Sequence, residues 1–167
     1  MGAILQNGAV TPGHLASWTT DGVLQDAGPA LASNKVLASA LGTNFNTTTD
    51  QPILLPPNIG IFQLTGIIIT NPSLSLTTAA SGFYPAASKG GSPLVANTQV
   101  YTTLIGANLL LNATLTAFAN TARFSSANLP LVLGPNNAYA LAIYFSLTTA
   151  QGAAATADIY LTGIVLS

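Results

Sequence analysis

The chain has no cysteine and no glutamate, one histidine, and only three basic and four acidic side chains among 167 residues. Without cysteine there are no disulfides, no zinc–thiolate sites and no thiol nucleophile. The bases Lys35, Lys89 and Arg123 are scattered. Neutralising phosphates takes clustered Lys and Arg, so no nucleic-acid partner is expected. His14 stands alone, with no second histidine and no glutamate to orient it as a general base. Long hydrophobic runs are missing as well. Each long interval between charges is broken by Pro, Asn, Gly or Thr before reaching the ~20 apolar residues of a spanning helix. No membrane partner is expected either.

Charged residues make up 4% of the chain, against about 25% in ordinary soluble domains. Thr, Ser, Asn, Ala and Gly take their place, and hydrophobic residues reach 49%. Intrinsic disorder requires low hydropathy and high net charge, and this chain has the reverse. It is built to fold. A surface with so little charge has almost nothing to hold copies apart, which points to a homo-oligomer, dimer or trimer, packed against its neighbours.

Residues 1–30 differ from the rest. They are rich in Gly and Pro and hold Asp21, Asp26, His14 and the only Trp, Trp18. The segment reads as an extended arm with turns at Thr11-Pro12-Gly13, Asp21-Gly22 and Ala27-Gly28-Pro29. Asp21-Gly22 between Ser17–Thr20 and Val23–Gln25 is a hairpin signal. Residues 31–42 suit a short helix capped by Asn34 and closed by Gly42. Residues 43–58 form a polar, then Pro-rich connector. The expected division is an N-terminal arm over 1–44 and a β-sandwich over 45–167.

From Gly60 onward the pattern is that of strands. Ile61–Thr70 is β-branched and apolar, Leu74 and Leu76 alternate with Ser and Thr, 82–93 reads as a long loop, and 98–105 as a strand. Leu109, Leu111, Ala113 and Leu115 line one face. Tyr139, Leu141, Ile143, Phe145 and Leu147 line another, against Ala138, Ala140, Ala142 and Ser146. Ile159, Leu161 and Val165 form a third stripe opposite Asp158, Tyr160 and Thr162. Period-two patterning over several segments separated by turn residues predicts an all-β fold, an antiparallel jelly-roll-like β-sandwich. The opposite faces carry Ala, Thr, Ser and Asn where Lys commonly protects sheets. Another copy is the simplest cover for them.

Other motifs carry little chemistry. Asp21 and Asp26 flank a turn and lack the oxygen ligands and bidentate Glu of a calcium loop. They also lack the aromatic-lined cleft of a glycosidase. Asn112-Ala113-Thr114 matches the glycosylation pattern by chance, and Gly90-Gly91 beside Lys89 lacks phosphate-loop spacing and reads as a flexible loop tip. No catalytic, cofactor or metal residue is assigned, and no cofactor is expected. Leu15, Trp18, Val23 and Leu24, apolar residues in a Gly/Pro-rich arm, are the candidate interface residues, with Trp18 a large rigid anchor.

Residues 12–29, PGHLASWTTDGVLQDAGP, resemble a segment near the N-termini of tailed-bacteriophage virion proteins, fibres and small head-associated proteins among them. In that segment a Gly-His step leads to a Trp, a turn and an Asp-Ala-Gly ending. Residues 82–91 and 138–163 resemble small capsid decoration or cement proteins, which are jelly-roll sandwiches. The resemblance covers about a third of the chain. It implies a non-enzymatic virion structural protein, made in the host cytoplasm, that stabilises the phage head by packing against itself and the major capsid protein. The alternative it leaves is a tail or head fibre, or a receptor-binding adhesion module, anchored through the arm, with loops 82–93 and 120–137 facing the host.

Overall fold

Alternation along the last hundred residues becomes two facing antiparallel sheets in the computed structural model. It describes residues 34–166 in full and, before them, the backbone strands 5–7, 14–18 and 23–29. Met1–Ala32 and Ser33–Ser167 are separate compact units. The first holds β1 (Leu5–Asn7), β2 (His14–Trp18) and β3 (Val23–Pro29), ordered β1-β3-β2. β1 runs parallel to β3 and β2 antiparallel to it, with Trp18 opposite Leu24. The strands on both sides of Asp21-Gly22 therefore pair as the hairpin signal predicts, although the turn itself lies outside the described residues.

The second unit contains β4 (Lys35–Asn44), β5 (Gln51–Leu54), β6 (Phe62–Thr70), β7 (Ala80–Tyr84), β8 (Val95–Val100), β9 (Leu110–Asn112) and β10 (Arg123–Phe124). It continues through β11 (Leu131–Leu133), β12 (Tyr139–Thr149) and β13 (Thr156–Val165). A short helix, α1 (Ala117–Thr121), starts where the Thr116 hydroxyl accepts the Ala119 N–H. One sheet has the order β10-β6-β13-β4, with β9 also on β6. The other has the order β11-β12-β7-β8, with β5 also on β12. The pairings are nested: β4 with β13, β5 with β12, β6 with β9, β7 with β8. A long antiparallel ribbon rolled up in this way is a jelly roll, as the sequence predicts.

Inward positions build one core. Ile67 and Ile69 of β6 lie opposite Leu161 and Ile159 of β13, and all four are fully buried. From the other sheet come Ile143, Phe145 and Leu147. Phe145 links Phe45 and Phe83, with ring centroids 4.9 and 5.2 Å away, and Phe45 meets Tyr101 edge-on at 5.2 Å. The Tyr101 hydroxyl shares a buried hydrogen bond with Ser81. Burial pushes this phenol's pKa well above its ordinary value of 10.0, and the Ser81 bond pulls it back only in part. Tyr84 is raised too, by burial first and the Asp50 carboxylate second.

Several expectations are corrected. The helix expected over 31–42 is strand β4 from Lys35 on, while residues 31–33 lie outside the described residues. Pairing along β13 overrides the helix propensity of its Leu and Ala residues. Asn34 is no helix cap, since its side chain accepts the Thr65 hydroxyl instead. Gly42, at φ +62°, sits within the strand and donates its N–H to Asp158. β4 therefore belongs to the sandwich, and the units meet at Ala32–Ser33 rather than at 44–45. The loop expected over 82–93 begins only after β7. The strand expected over 98–105 is Val95–Val100, after which Tyr101 turns into the core. The alternation at 109–115 forms a ladder only over Leu110–Asn112, with Leu115 making an isolated bridge to Val95, and Leu74 sits in a bend ahead of a turn at 77–78.

Two measurements test this packing. A Cβ on Gly163 would lie 2.2 Å from the Gln63 carbonyl oxygen and 2.6 Å from Leu37 Cδ1, whereas one on Gly106 would meet nothing. Chemical denaturation should therefore find Gly163→Ala destabilised by about 1–3 kcal/mol and Gly106→Ala near neutral. Both tyrosines hold their protons more tightly when folded. The unfolded chain thus releases them first as pH passes 10.0, and stability falls on the alkaline side. Melting temperature should be insensitive to these groups at neutral pH and drop above that value. Tyr101→Phe should flatten the drop while costing about 1–3 kcal/mol for the orphaned Ser81 hydroxyl.

Candidate interaction surfaces

The candidate interface residues of the N-terminal unit fall on two adjacent strands. Leu15 and Trp18 lie on β2, Val23 and Leu24 on β3. The register brings Trp18 and Leu24 to opposed positions at the hairpin end and sets Val23 against Leu5 of β1. Leu15 is not drawn into that group, because it sits at the irregularity between His14 and Ala16. Of the acidic pair, Asp26 is opposite Ala16 and Asp21 lies outside the described residues.

The two sheets of the sandwich treat their outer faces differently. In the second sheet Tyr144 of β12 is flanked by Pro52 of β5 on one side and Tyr84 of β7 on the other. The chain leaving β7 then places the Ser88 N–H on the carboxylate of Asp50, next to β5. To get there, residues 85–88 must cross the outer face of β12. On β12 the Ala and Ser face, expected to await a neighbour, is already covered in part: Ala140, Ala142 and Ser146 are buried within one chain, as is Tyr84, while Ala138 stays exposed. The Ser146 hydroxyl has no hydrogen-bond partner among the described residues. Within the crossing strap, residues 87–89 form an exposed turn tip closed by a bridge between Ala86 and Gly90, tied down where the Ser88 N–H meets Asp50. Ser88, Lys89 and Gly91 all adopt positive φ, and a Cβ on Gly91 would lie 2.6 Å from Pro85 Cγ. Thr48, Thr49, Asp50, Ser88 and Lys89 border an open polar hollow of about 410 Å³ at its edge.

The first sheet keeps its outer face open. Across it Thr70 lies opposite Asp158, Ile68 opposite Tyr160, and Gly66 opposite Thr162, with Ser39 and Val36 of β4 on the far side. Leu110 and Asn112 of β9 extend the same face. Val36 and Leu110 are more than half exposed. This face carries two charges: Arg123 of β10 stands opposite Gln63 at one end of it, and the Asp158 carboxylate accepts the Gly42 N–H at 2.8 Å and the Asn71 amide at 2.9 Å. A carboxylate already engaged by two donors demands less from water. The face is thus broad, pleated and close to uncharged, with Thr and Ser hydroxyls among Ile, Val, Leu and Tyr. Sequence reasoning found its β13 half through the Asp158–Thr162 alternation and missed the β4 half, where two register shifts break the alternation.

If Asp50 anchors the strap, Asp50→Ala should raise amide hydrogen exchange across residues 85–91 by at least tenfold and leave β6 and β13 protected. Unchanged exchange in the strap would contradict the anchoring role.

No protein-family model, no curated protein and no solved structure matches the chain.

Proposed function

We propose that this chain is a non-enzymatic virion structural protein that decorates or cements a phage capsid. In this reading it is made in the host cytoplasm and assembles with copies of itself and the major capsid protein. The observation that carries the reading is the open outer face of the first sheet. Antiparallel sheets that live in water alternate apolar and charged positions. Here Ser39, Thr65, Thr70, Asn112 and Thr162 take the places of charge. Covering such a face removes few strongly hydrated groups from water, and a standard interface of ~1,600 Å² is enough for stable association.

The jelly roll supports the same reading through its rigidity, since its long ladders hold that face as a fixed plate. The N-terminal unit is the proposed attachment element, through Leu15, Trp18, Val23 and Leu24. A small separate unit joined to a plate suits a protein that grips one surface and covers another.

The test is quantitative mass spectrometry of purified particles from the phage that encodes the chain. Hundreds of copies per particle are expected. A handful of copies would favour the fibre or receptor-binding reading, and absence from particles would overturn both. Within the full chain, Trp18→Ala should weaken binding to undecorated particles by about tenfold or more, the loss of ~1.4 kcal/mol expected for an interface anchor. Unchanged binding would remove the N-terminal unit from the attachment role.

A further inference from the structure

One end of the sandwich is left open. The register sets Leu131 and Leu133 of β11 opposite Leu141 and Tyr139 of β12. Leu141 is buried in the core, and alternate positions share a face. Leu131, Leu133 and Tyr139 therefore stand on the inward side of their sheet, where the sandwich buries its apolar residues. Yet all three are more than half exposed, Tyr139 to 64%. The opposite sheet does not close over them. A cleft of about 170 Å³ opens there instead, bordered by Pro56, Pro57, Ile59, Leu131 and Tyr139. Across the Pro56-Pro57 step a second cleft, of about 310 Å³, is lined by Leu54, Pro135 and Ala138. Ile61 and Leu166, joined by a backbone hydrogen bond, add two more exposed apolar side chains beside Gly60 of the first cleft.

We propose that this open end is where two copies of the chain associate, in an isologous contact centred on Leu131 and Tyr139. No residue lining either cleft is charged. A charged peptide or a nucleic acid gains no ion pair there, whereas an identical patch meets it without like-charge repulsion. A two-fold contact sets a patch against its own copy, residue i against j and j against i, and a patch with no charge at its centre meets its copy there without like-charge repulsion. The net charge of the whole chain, -1, adds no long-range repulsion between copies. Apolar clefts around an exposed Tyr match the make-up of interface centres, where rigid aromatic side chains carry most of the energy. The chain also enters the sandwich at this end: Asn34 bonds Thr65, and Lys35 lies opposite Gly163 near the end of β13.

The inference does not rest on the virion reading. A dimer absent from particles would end that reading and leave this one standing. The experiment is sedimentation or light scattering on the full chain over a concentration series, with Leu133→Lys, Tyr139→Lys and, as a control elsewhere on the surface, Leu41→Lys. Wild type should associate. The first two variants should weaken association at least tenfold with an unchanged melting temperature, and Leu41→Lys should match wild type. A wild-type monomer at every concentration would overturn the proposal. So would association that survives in the Leu133 and Tyr139 variants, or that fails equally in the Leu41 variant. Should the lysine variants fail to fold, hydrogen exchange on wild type decides. Protection of residues 131–133 and 139–141 must rise with concentration, and protection that stays flat refutes the contact.

Discussion

The structure depends on the pairing of its last strand. β13 lies between β4 and β6 and is hydrogen-bonded to both along nearly its whole length. β4 is the first strand of the sandwich and β13 the last, so the sheet closes only when the two ends of the unit meet. Contacts of such sequence separation carry a loop-closure cost before they return any stability. That cost is met by the inward rows, Ile67 and Ile69 against Leu161 and Ile159, which no water reaches. Gly163 shows how tight the fit is: the β13 backbone comes so near Gln63 and Leu37 that no side chain can stand between them. The nested partner pairing of β12 with β5 and β7 is the counterpart in the other sheet.

Given that frame, scarcity of charge governs the surface. The second sheet solves its exposure within the chain, by a strap that crosses β12 and ties to Asp50. The strap accepts positive φ at Ser88 and Lys89, conformations that cost non-glycine residues free energy, and the buried Ser146 hydroxyl finds no partner among the described residues. The first sheet has no such strap, and its outer face and the open end near Tyr139 remain uncovered. The same composition thus gives one face covered over β12 within the chain and two surfaces suited to burial by other molecules.

Much of the fold is legible in the residues, and the unread parts share a physical cause. β6, β12 and β13 announce themselves because one face is buried and the other is small or polar, so alternation survives. β4 hides because two register shifts against β13 break its alternation, leaving a Leu- and Ala-rich string that resembles a helix. The strap is invisible for a related reason. Its landing point is fixed by a hydrogen bond between Ser88 and Asp50, residues 38 apart, and no local pattern encodes such a meeting. Of the candidate site, Trp18 and Leu24 are brought together by the hairpin that Asp21-Gly22 signals. The open end near Tyr139 gives no local warning, since Leu131, Leu133 and Tyr139 read as ordinary core residues, yet the fold leaves each more than half exposed.

The central claim is that the charge-poor outer face of β6 and β13 is a contact surface, and hydroxyl-radical footprinting tests it most directly. Labelling of Ile68 and Tyr160 would be compared between the free chain and the assembled particle. The account predicts that both become protected on assembly while the strap residues Ser88 and Lys89 react equally in both states. Equal labelling of Ile68 and Tyr160 in the two states would contradict it.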